Sequence, residues 1–296
     1  MKTRSLPKQA VLIVNAQSRR GQDLFDDAKQ RLKDAGITLL SAHAVKEPKD
    51  LARQVRAAAR SGAPMVIVGG GDGTLSGVVD ELVGKDCVFG VLPLGTANSF
   101  ARSLELPLEL AEAVEAIASG RRRRVDLGMI DKDYFVNAAS IGLSTMIGET
   151  VPHKLKRYAG RVGYLAWALK SAVRFCAFRL EIDDGTRKET MWATEVRILN
   201  GPHHGGVELS EQAGLDTQEL LIQAVVGKSK LALARDWYAK FFKLRHRNAN
   251  SRDFQGKRFH IVTDPPQRIS IDGEVLATTP VVTSVAAAAI DVAVPR

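Results

Sequence analysis

The segment Met65–Leu75, MVIVGGGDGTL, carries the densest chemistry in the sequence. Four apolar residues run into Gly69-Gly70-Gly71-Asp72-Gly73-Thr74, and a helical pattern begins directly after. Glycines permit positive φ and a close backbone approach, so several N–H groups can converge on one anion. A helix starting there adds the positive end of its dipole to the same spot. Thr74 can cap that helix or hydrogen-bond a phosphate. Asp72 is an unusual neighbour for an anion and points to a bridging Mg²⁺ or to an ordering role. The plain alternative is a tight strand-to-helix turn, because the loop fits neither G-x-G-x-x-G nor G-x-x-x-x-G-K-[ST]. Three other groups invite chemistry but have simpler readings. His203-His204 has no nearby cysteine or third ligand and reads as a loop. Arg121–Arg124 could bind phosphates, and reads more simply as the solvated entrance to a strand. Asp272-Gly273-Glu274 taken alone is a turn between strands.

The glycine loop needs a frame to hold it. Val11–Val14, Ile37–Leu40, Met65–Val68 and Val88–Leu92 read as short buried strands. Helical patterns at Leu24–Leu32, Lys49–Arg60 and Leu75–Leu82 alternate with them. Continuously apolar strands alternating with helices predict a parallel sheet covered on both faces. After a further helix near Leu108–Ser119 the pattern changes: Val125–Ile130 and Tyr134–Ile141 stand close enough to pair as a hairpin. Beyond residue 130 the chain reads as mostly β, with strands at Phe178–Ile182, Met191–Leu199, Leu220–Val226, Phe254–Val262 and Arg268–Ile271. Two helices, Leu155–Arg174 and Lys230–Leu244, interrupt them. The expected architecture is an α/β nucleotide-binding domain over residues 1–128 and a β-rich, sandwich-like domain over 129–284.

Composition narrows the partner. The chain has 296 residues with 42 Lys+Arg against 33 Asp+Glu, 45% hydrophobic residues and two cysteines. That is enough for two domains with ample cores, and it is neither a disordered polar chain nor a membrane-embedded one. No run approaches the roughly 20 apolar residues that span a bilayer, and the apolar run Val11–Val14 is too short for a signal peptide. Two cysteines make no disulfide framework, so a reducing cytoplasm is expected. The net charge of +9 favours an anionic partner.

The motifs resemble the diacylglycerol kinase catalytic-domain superfamily, and most of all the soluble bacterial lipid kinases related to sphingosine kinases. GGGDGT is followed some twenty residues later by LPLGTANSFA (Leu92–Ala101). Asn15-Ala16-Gln17-Ser18-Arg19 stands where the family has an N-P-x-S-G nucleotide loop, and Pro93–Asn98 matches its P-x-G-T-x-N. Asp126 in RRRRVDLG matches an acidic residue at the active cleft. Asn137 and Gly142, Asn200 with Gly205-Gly206, and Asp272-Gly273-Glu274 match further blocks in the same order. The resemblance implies an NAD kinase/diacylglycerol kinase-like N-terminal domain and a final strand, about 285–296, that returns to it. It implies ATP bound by Asn15, Gly69–Thr74, Gly95, Thr96 and Asn98, with Mg²⁺ at Asp72. Glu274 would be the catalytic base, with Asp72 and Asp126 arranging metal and water. Phosphoryl transfer needs little more than charge neutralisation, positioning and a late proton acceptor.

Four departures stand out. Ala16 replaces a proline, Ala44 a nucleotide-contacting threonine, and Ser99 an aspartate that often follows Asn98. Thr217-Gln218 replaces the Asp-Gly pair whose aspartate supports a structural Mg²⁺, leaving Asp216 as the residue that could compensate. Residues 150–180 hold seven basic residues and no acidic one, and 228–258 hold ten against two, interleaved with Trp237, Tyr238, Phe241 and Phe242. These stretches contribute +7 and +8, so the rest of the chain carries −6. Basic and aromatic residues together suit an anionic membrane surface, so a cytoplasmic enzyme peripherally bound to membrane is expected, acting on a lipid alcohol such as diacylglycerol, phosphatidylglycerol or a sphingoid base. Nucleic acid is not expected, since no base-stacking or groove-reading motif is present. The sequence neither fixes nor excludes a homodimer. The rivals are an NAD kinase-like enzyme, which shares the G-G-D-G-T loop, and a non-catalytic lipid-binding protein of the same fold.

Overall fold

The computed structural model describes residues 5–17, 19–150, 167, 170–171, 175–229 and 251–296. The chain forms two compact units. The first comprises Met1–Leu127, Gly201–Gln218 and Ala286–Arg296, and the second Gly128–Asn200 and Glu219–Val285.

Unit 1 alternates β1 (Gln9–Asn15), α1 (Arg19–Asp34), β2 (Thr38–Val45), α2 (Pro48–Arg60), β3 (Met65–Gly70), α3 (Asp72–Val79) and β4 (Val88–Pro93), followed by α4 (Ser99–Ser103) and α5 (Leu110–Ser119). The strands pair in parallel in the order β2-β1-β3-β4. The C-terminal strand adds to the β4 edge, also in parallel, with Asp291 opposite Val88. Every residue of β3 and β4 is buried, which is why both read as unbroken apolar runs rather than alternating ones. Leu12, Ile67, Val88 and Leu92 pack with Leu32 of α1 and Ile117 of α5. α2 starts on Pro48, whose fixed φ suits a first turn, and buries Leu51, Val55 and Ala58 along one face. From β1 the chain crosses to β2 on one side and then to β3 on the other. The carboxyl ends of β1 and β3 therefore flank the point where strand order reverses, the place where open α/β sheets bind ligands. Asn15 and Gly70 are the last residues of those two strands.

Unit 2 is antiparallel. Its elements are the end of β5 (Arg121–Ile130), β6 (Asp133–Phe135), β7 (Ala138–Gly142), α6 (Leu143–Thr150), β8 (Phe178–Asp183) and β9 (Lys188–Leu199). A short excursion into unit 1 carries β10 (His203–His204) and β11 (Val207–Glu208), after which come β12 (Leu220–Val226), β13 (Ser251–Gly256), β14 (Arg258–Asp264), β15 (Arg268–Ile271), β16 (Glu274–Thr278) and β17 (Val281–Val294). Strand order runs β16-β15-β7-β9-β8-β14-β17, with β12 on β9 and β13 on β12. β8 alternates, burying Phe178, Leu180 and Ile182 in a core shared with Val196, Ile198, Ile222 and Phe259.

Two sequence readings need correction here. The expected Tyr134–Ile141 strand is split: β6 pairs with β5, but β7 leaves that hairpin to pair with β9 and β15. The break falls where the Asp272 carboxylate accepts the N–H groups of Val136, Asn137 and Ala138, drawing the backbone away from β5. The expected Phe254–Val262 strand is likewise two strands, β13 on β12 and β14 on β8. The turn is at Lys257, whose carbonyl accepts the Val285 N–H. The helices read at Leu155–Arg174 and Lys230–Leu244 lie outside the described residues, apart from Trp167, Lys170 and Ser171. Among the described residues no helix is long and apolar enough to cross a membrane.

Candidate active site

Three loops at the carboxyl ends of β1, β3 and β4 line a cavity of about 430 Å³ in unit 1, with Asn15, Gln17, Gly70, Gly71, Gly95 and Thr96 in its wall. Gly71 N-caps α3 with no side-chain cap, and its carbonyl accepts the N–H groups of Thr74 and Leu75, so the Asp72 and Gly73 N–H groups are the ones left for an anion. Thr74 therefore does not cap the helix. Its hydroxyl accepts the Asn15 Nδ2–H at 3.0 Å, and Asn15 Oδ1 accepts the Gln17 N–H, which ties the first loop to the glycine loop. Gly95 has to be a glycine because its Cα packs against Gly71: a Cβ there would sit 2.5 Å from Gly71 Cα and 2.8 Å from Asn98 Oδ1.

Asn98 explains the G-T-x-N pattern. It stands in the left-handed region at φ 49°, ψ 45°, a conformation asparagine tolerates better than other branched residues. From there its side chain accepts the Gly95 N–H at 2.9 Å and donates to the carbonyls of Gly95 and Pro93. One buried amide thus closes the whole turn. Asp72 has the ordering role: Oδ1 accepts the Phe100 N–H at 3.1 Å, joining the glycine loop to the start of α4. Its Oδ2 makes no hydrogen bond among the described residues, so a cation arriving with a nucleotide has one carboxylate oxygen to meet. Of the expected nucleotide-binding residues, Gly69, Asp72, Gly73, Thr74 and Asn98 shape the loops without lining the cavity.

Asp126 is 3% exposed, and both of its oxygens are committed. Oδ2 accepts the Gln218 N–H and Oδ1 the Ala288 N–H, each at 2.7 Å, while its own N–H donates to Leu215. Gln218 and Ala288 both have positive φ, 56° and 50°. Such a backbone costs roughly 1–2 kcal/mol per non-glycine residue, offset by hydrogen bonds to a charged acceptor worth about 1.5–3 kcal/mol. Asp126 therefore pins three passes of chain and is placed to position, not to accept a proton. The residues near Asp216 do not fit a structural Mg²⁺. Asp216 Oδ2 pairs with Arg123 Nη2 at 2.8 Å, the Thr217 hydroxyl donates to the Gly214 carbonyl, and no three acidic, His or Cys groups converge among the described residues.

The rest of the arginine run is also spoken for. Arg122 pairs with Asp291 at 2.5 Å and with Asp86, and the hydrogen bond to Asp291 raises its already high pKa; Arg124 lies exposed, 3.8 Å from Asp291. Arg122, Arg123 and Arg124 make the run an ion-paired strand entrance rather than the solvated one expected, while Arg121 is exposed. His203-His204 forms β10, with the His203 N–H donating to Ser103 Oγ. Gly21 and Leu24 also line the cavity; the only signal for them was their position at the start of the helix after the first loop. Ala44 lies opposite Val14 on β2 and lines a separate surface hollow with His43 and Lys46.

In unit 2, Asp272 (φ 46°) and Gly273 (φ 99°) form the two-residue turn between β15 and β16, with Ile271 opposite Glu274. Positive φ at both positions is the hairpin turn that Asp-Gly favours. Asp272 anchors it, accepting three consecutive amides at 2.7, 3.0 and 3.1 Å. Asn200 joins this knot, its Nδ2 donating to the Val136 carbonyl and its N–H to that of Asn137. Glu274, the next side chain after the turn, is exposed. The three blocks that looked separate in sequence, Asn137, Asn200 and Asp272, are one assembly that fixes where Glu274 starts.

Comparison with known proteins shows the family and the fold. The profile of the diacylglycerol kinase catalytic domain matches residues 9–130. A protein of Enterobacter sp. (strain 638) named "Probable lipid kinase YegS-like" is 31% identical over 277 residues, covering 91% of this chain and 90% of the relative. "Probable lipid kinase YegS" of Salmonella typhimurium is 36% identical over 202 residues, 67% of each chain. A crystal structure of a diacylglycerol kinase from Bacillus anthracis superposes with a TM-score of 0.78 at 22% identity, covering 99% of this chain and 98% of that one. At that identity the likeness speaks for the fold.

Proposed function

The chain belongs to the YegS-like lipid kinases, which carry the diacylglycerol kinase catalytic domain, and from that premise we propose that it transfers the γ-phosphoryl group of ATP to a hydroxyl of a membrane lipid. The observation that carries the nucleotide half is the cavity where strand order reverses, walled by Gly70, Gly71, Gly95 and Thr96 beside an uncapped helix start. Backbone N–H groups and the helix dipole neutralise phosphate charge there without reorganising. Asn15, Asn98 and Asp72 hold the three loops in register, and Asp126 holds the chain passes beside them. Asp72 Oδ2 would hold Mg²⁺ arriving with the nucleotide, and the ion would supply neutralisation of the charge that develops on the transferred group. Glu274 takes the proton of the lipid hydroxyl, a task a carboxylate can perform because in a loose transition state the proton leaves late.

Gly95→Ala tests the site. Its methyl group would have to displace Gly71, so calorimetry with MgATP is expected to show binding weakened about 100-fold or more against wild type, a loss of a few hydrogen bonds. Equal affinity in the variant would move the nucleotide elsewhere.

We propose also that an anionic membrane surface is a partner of this peripheral, cytoplasmic enzyme. The concentration of positive charge in residues 150–180 and 228–258 supports it, as does Trp192, 43% exposed with the Lys228 ammonium 3.9 Å from its ring. An exposed aromatic beside a cation suits the headgroup level of a bilayer. Co-sedimentation with phosphatidylglycerol vesicles but not with phosphatidylcholine vesicles is the expected outcome; equal binding to both would remove the proposal.

A further inference from the structure

Building on the nucleotide reading above, we propose that Ser99 and Ser103 are positioning residues for ATP: their hydroxyls clasp the β10–β11 hairpin onto α4 and so keep the Gly95–Asn98 turn in its anion-binding form. The two serines are four residues apart and lie on one face of α4. Both are buried, at 1% and 7% exposure. Ser99 Oγ accepts the Gly206 N–H at 3.0 Å. Ser103 Oγ accepts the His203 N–H at 3.3 Å and lies 3.4 Å from His203 Nδ1.

The clasp acts on the turn through Ala97, the residue between Thr96 and Asn98. Gly206, at φ 79°, lies beside Ala97, so that a Cβ there would be in ordinary van der Waals contact with Ala97 Cα at 3.4 Å. From the other side Arg102 Nε donates to the Ala97 carbonyl at 2.9 Å. Ala97 is held between these contacts, and Asn98 beside it keeps its left-handed backbone. Uncommon backbone of this kind persists only where the surroundings over-determine it. Asn98 in turn fixes Gly95, and Phe100 fixes Asp72. The hairpin is thus an outer brace for the phosphate-facing turn, and pre-organised donors bind more tightly than donors that must first be ordered. His203, of the pair that the sequence reads as a loop, contributes its backbone N–H to this brace.

The test is calorimetric titration of wild type, Ser99→Ala and Ser103→Ala with MgATP, alongside thermal melting and amide hydrogen exchange over residues 203–208. Loss of either hydroxyl is expected to raise the ATP Kd roughly tenfold, the effect of one hydrogen bond's worth of order. Exchange of the Gly206 and His203 amides should accelerate while the melting temperature falls by only a few degrees, the cost of one N–H that loses its acceptor. A merely structural role would move the melting temperature and leave the Kd alone. Wild-type Kd in both variants overturns the proposal, as does a raised Kd only where melting also collapses. Absence of ATP binding by wild type itself would instead overturn the kinase reading on which the proposal rests.

Discussion

Replacing Glu274 with glutamine is expected to slow phosphoryl transfer to lipid by about 10²–10⁴-fold, the usual contribution of a positioned base, while ATP binding and the melting temperature stay at wild-type values. Glutamine keeps the size of the side chain and loses its basicity. The position is exposed at the start of β16, so the substitution belongs with surface changes, which stay within roughly 0.5 kcal/mol of wild type. Its backbone is set by its neighbours, since the Asp272-Gly273 turn and the Ile271 pairing are untouched by the change. A turnover equal to wild type would remove Glu274 as the proton acceptor. A fall in turnover accompanied by an equal fall in ATP affinity would give it a binding role instead.

Asp272→Ala is expected to do the opposite, striking stability first. The carboxylate accepts the N–H groups of Val136, Asn137 and Ala138, and these three residues are at most 2% exposed. Without the acceptor, three buried donors lose their partner at a cost of about 1–3 kcal/mol each, or about 4 kcal/mol in all after partial relaxation. For a unit of this size each kcal/mol shifts melting by roughly 2–4 °C, so calorimetry should show unit 2 melting about 10 °C lower. Asp272→Asn should lose less, since one acceptor oxygen survives, although its NH₂ then faces other donors. Phosphoryl transfer should fall in both variants because the turn before Glu274 loses its anchor. An Asp272→Ala protein that melts within 2 °C of wild type would mean that these amides are satisfied without the carboxylate.

The contrast between these two neighbours shows what could be read in advance. Asp272-Gly273-Glu274 was recognisable as a turn from its residue types and as a catalytic block from its resemblance, but nothing local says that Asp272 reaches back to residue 136. The same holds for Asp126, whose amide partners are 92 and 162 residues away. Periodicity and turn chemistry report on near neighbours, and a carboxylate that clamps distant backbone leaves no periodic trace. β1, β3 and β4 were legible because strands buried on both faces must be apolar throughout. The Tyr134–Ile141 and Phe254–Val262 strands were misread as unbroken because apolar residues stand close on both sides of each break, although Gly256-Lys257-Arg258 shifts the phase of the second. The excursion Gly201–Gln218 into unit 1 was not legible either: its few apolar residues (Val207, Leu209, Ala213, Leu215) are scattered among glycines, polar groups and two histidines with no period of their own, and its hold on α4 goes through backbone N–H groups. Ser99, seen in sequence as a missing aspartate, turns out to keep an acceptor oxygen at that position, and Thr74 gives its hydroxyl to Asn15 rather than to the helix start.

The central claim is that this chain phosphorylates a lipid hydroxyl. The direct measurement is incubation of the wild-type protein with γ-labelled ATP and Mg²⁺, in the presence of anionic vesicles carrying diacylglycerol, phosphatidylglycerol or a sphingoid base in turn, with NAD in a parallel reaction. The account predicts that label passes into the organic phase on one of the lipids and that Glu274→Gln slows the transfer by about 10²–10⁴-fold. Label found only on NAD, or on no acceptor at all, would contradict it.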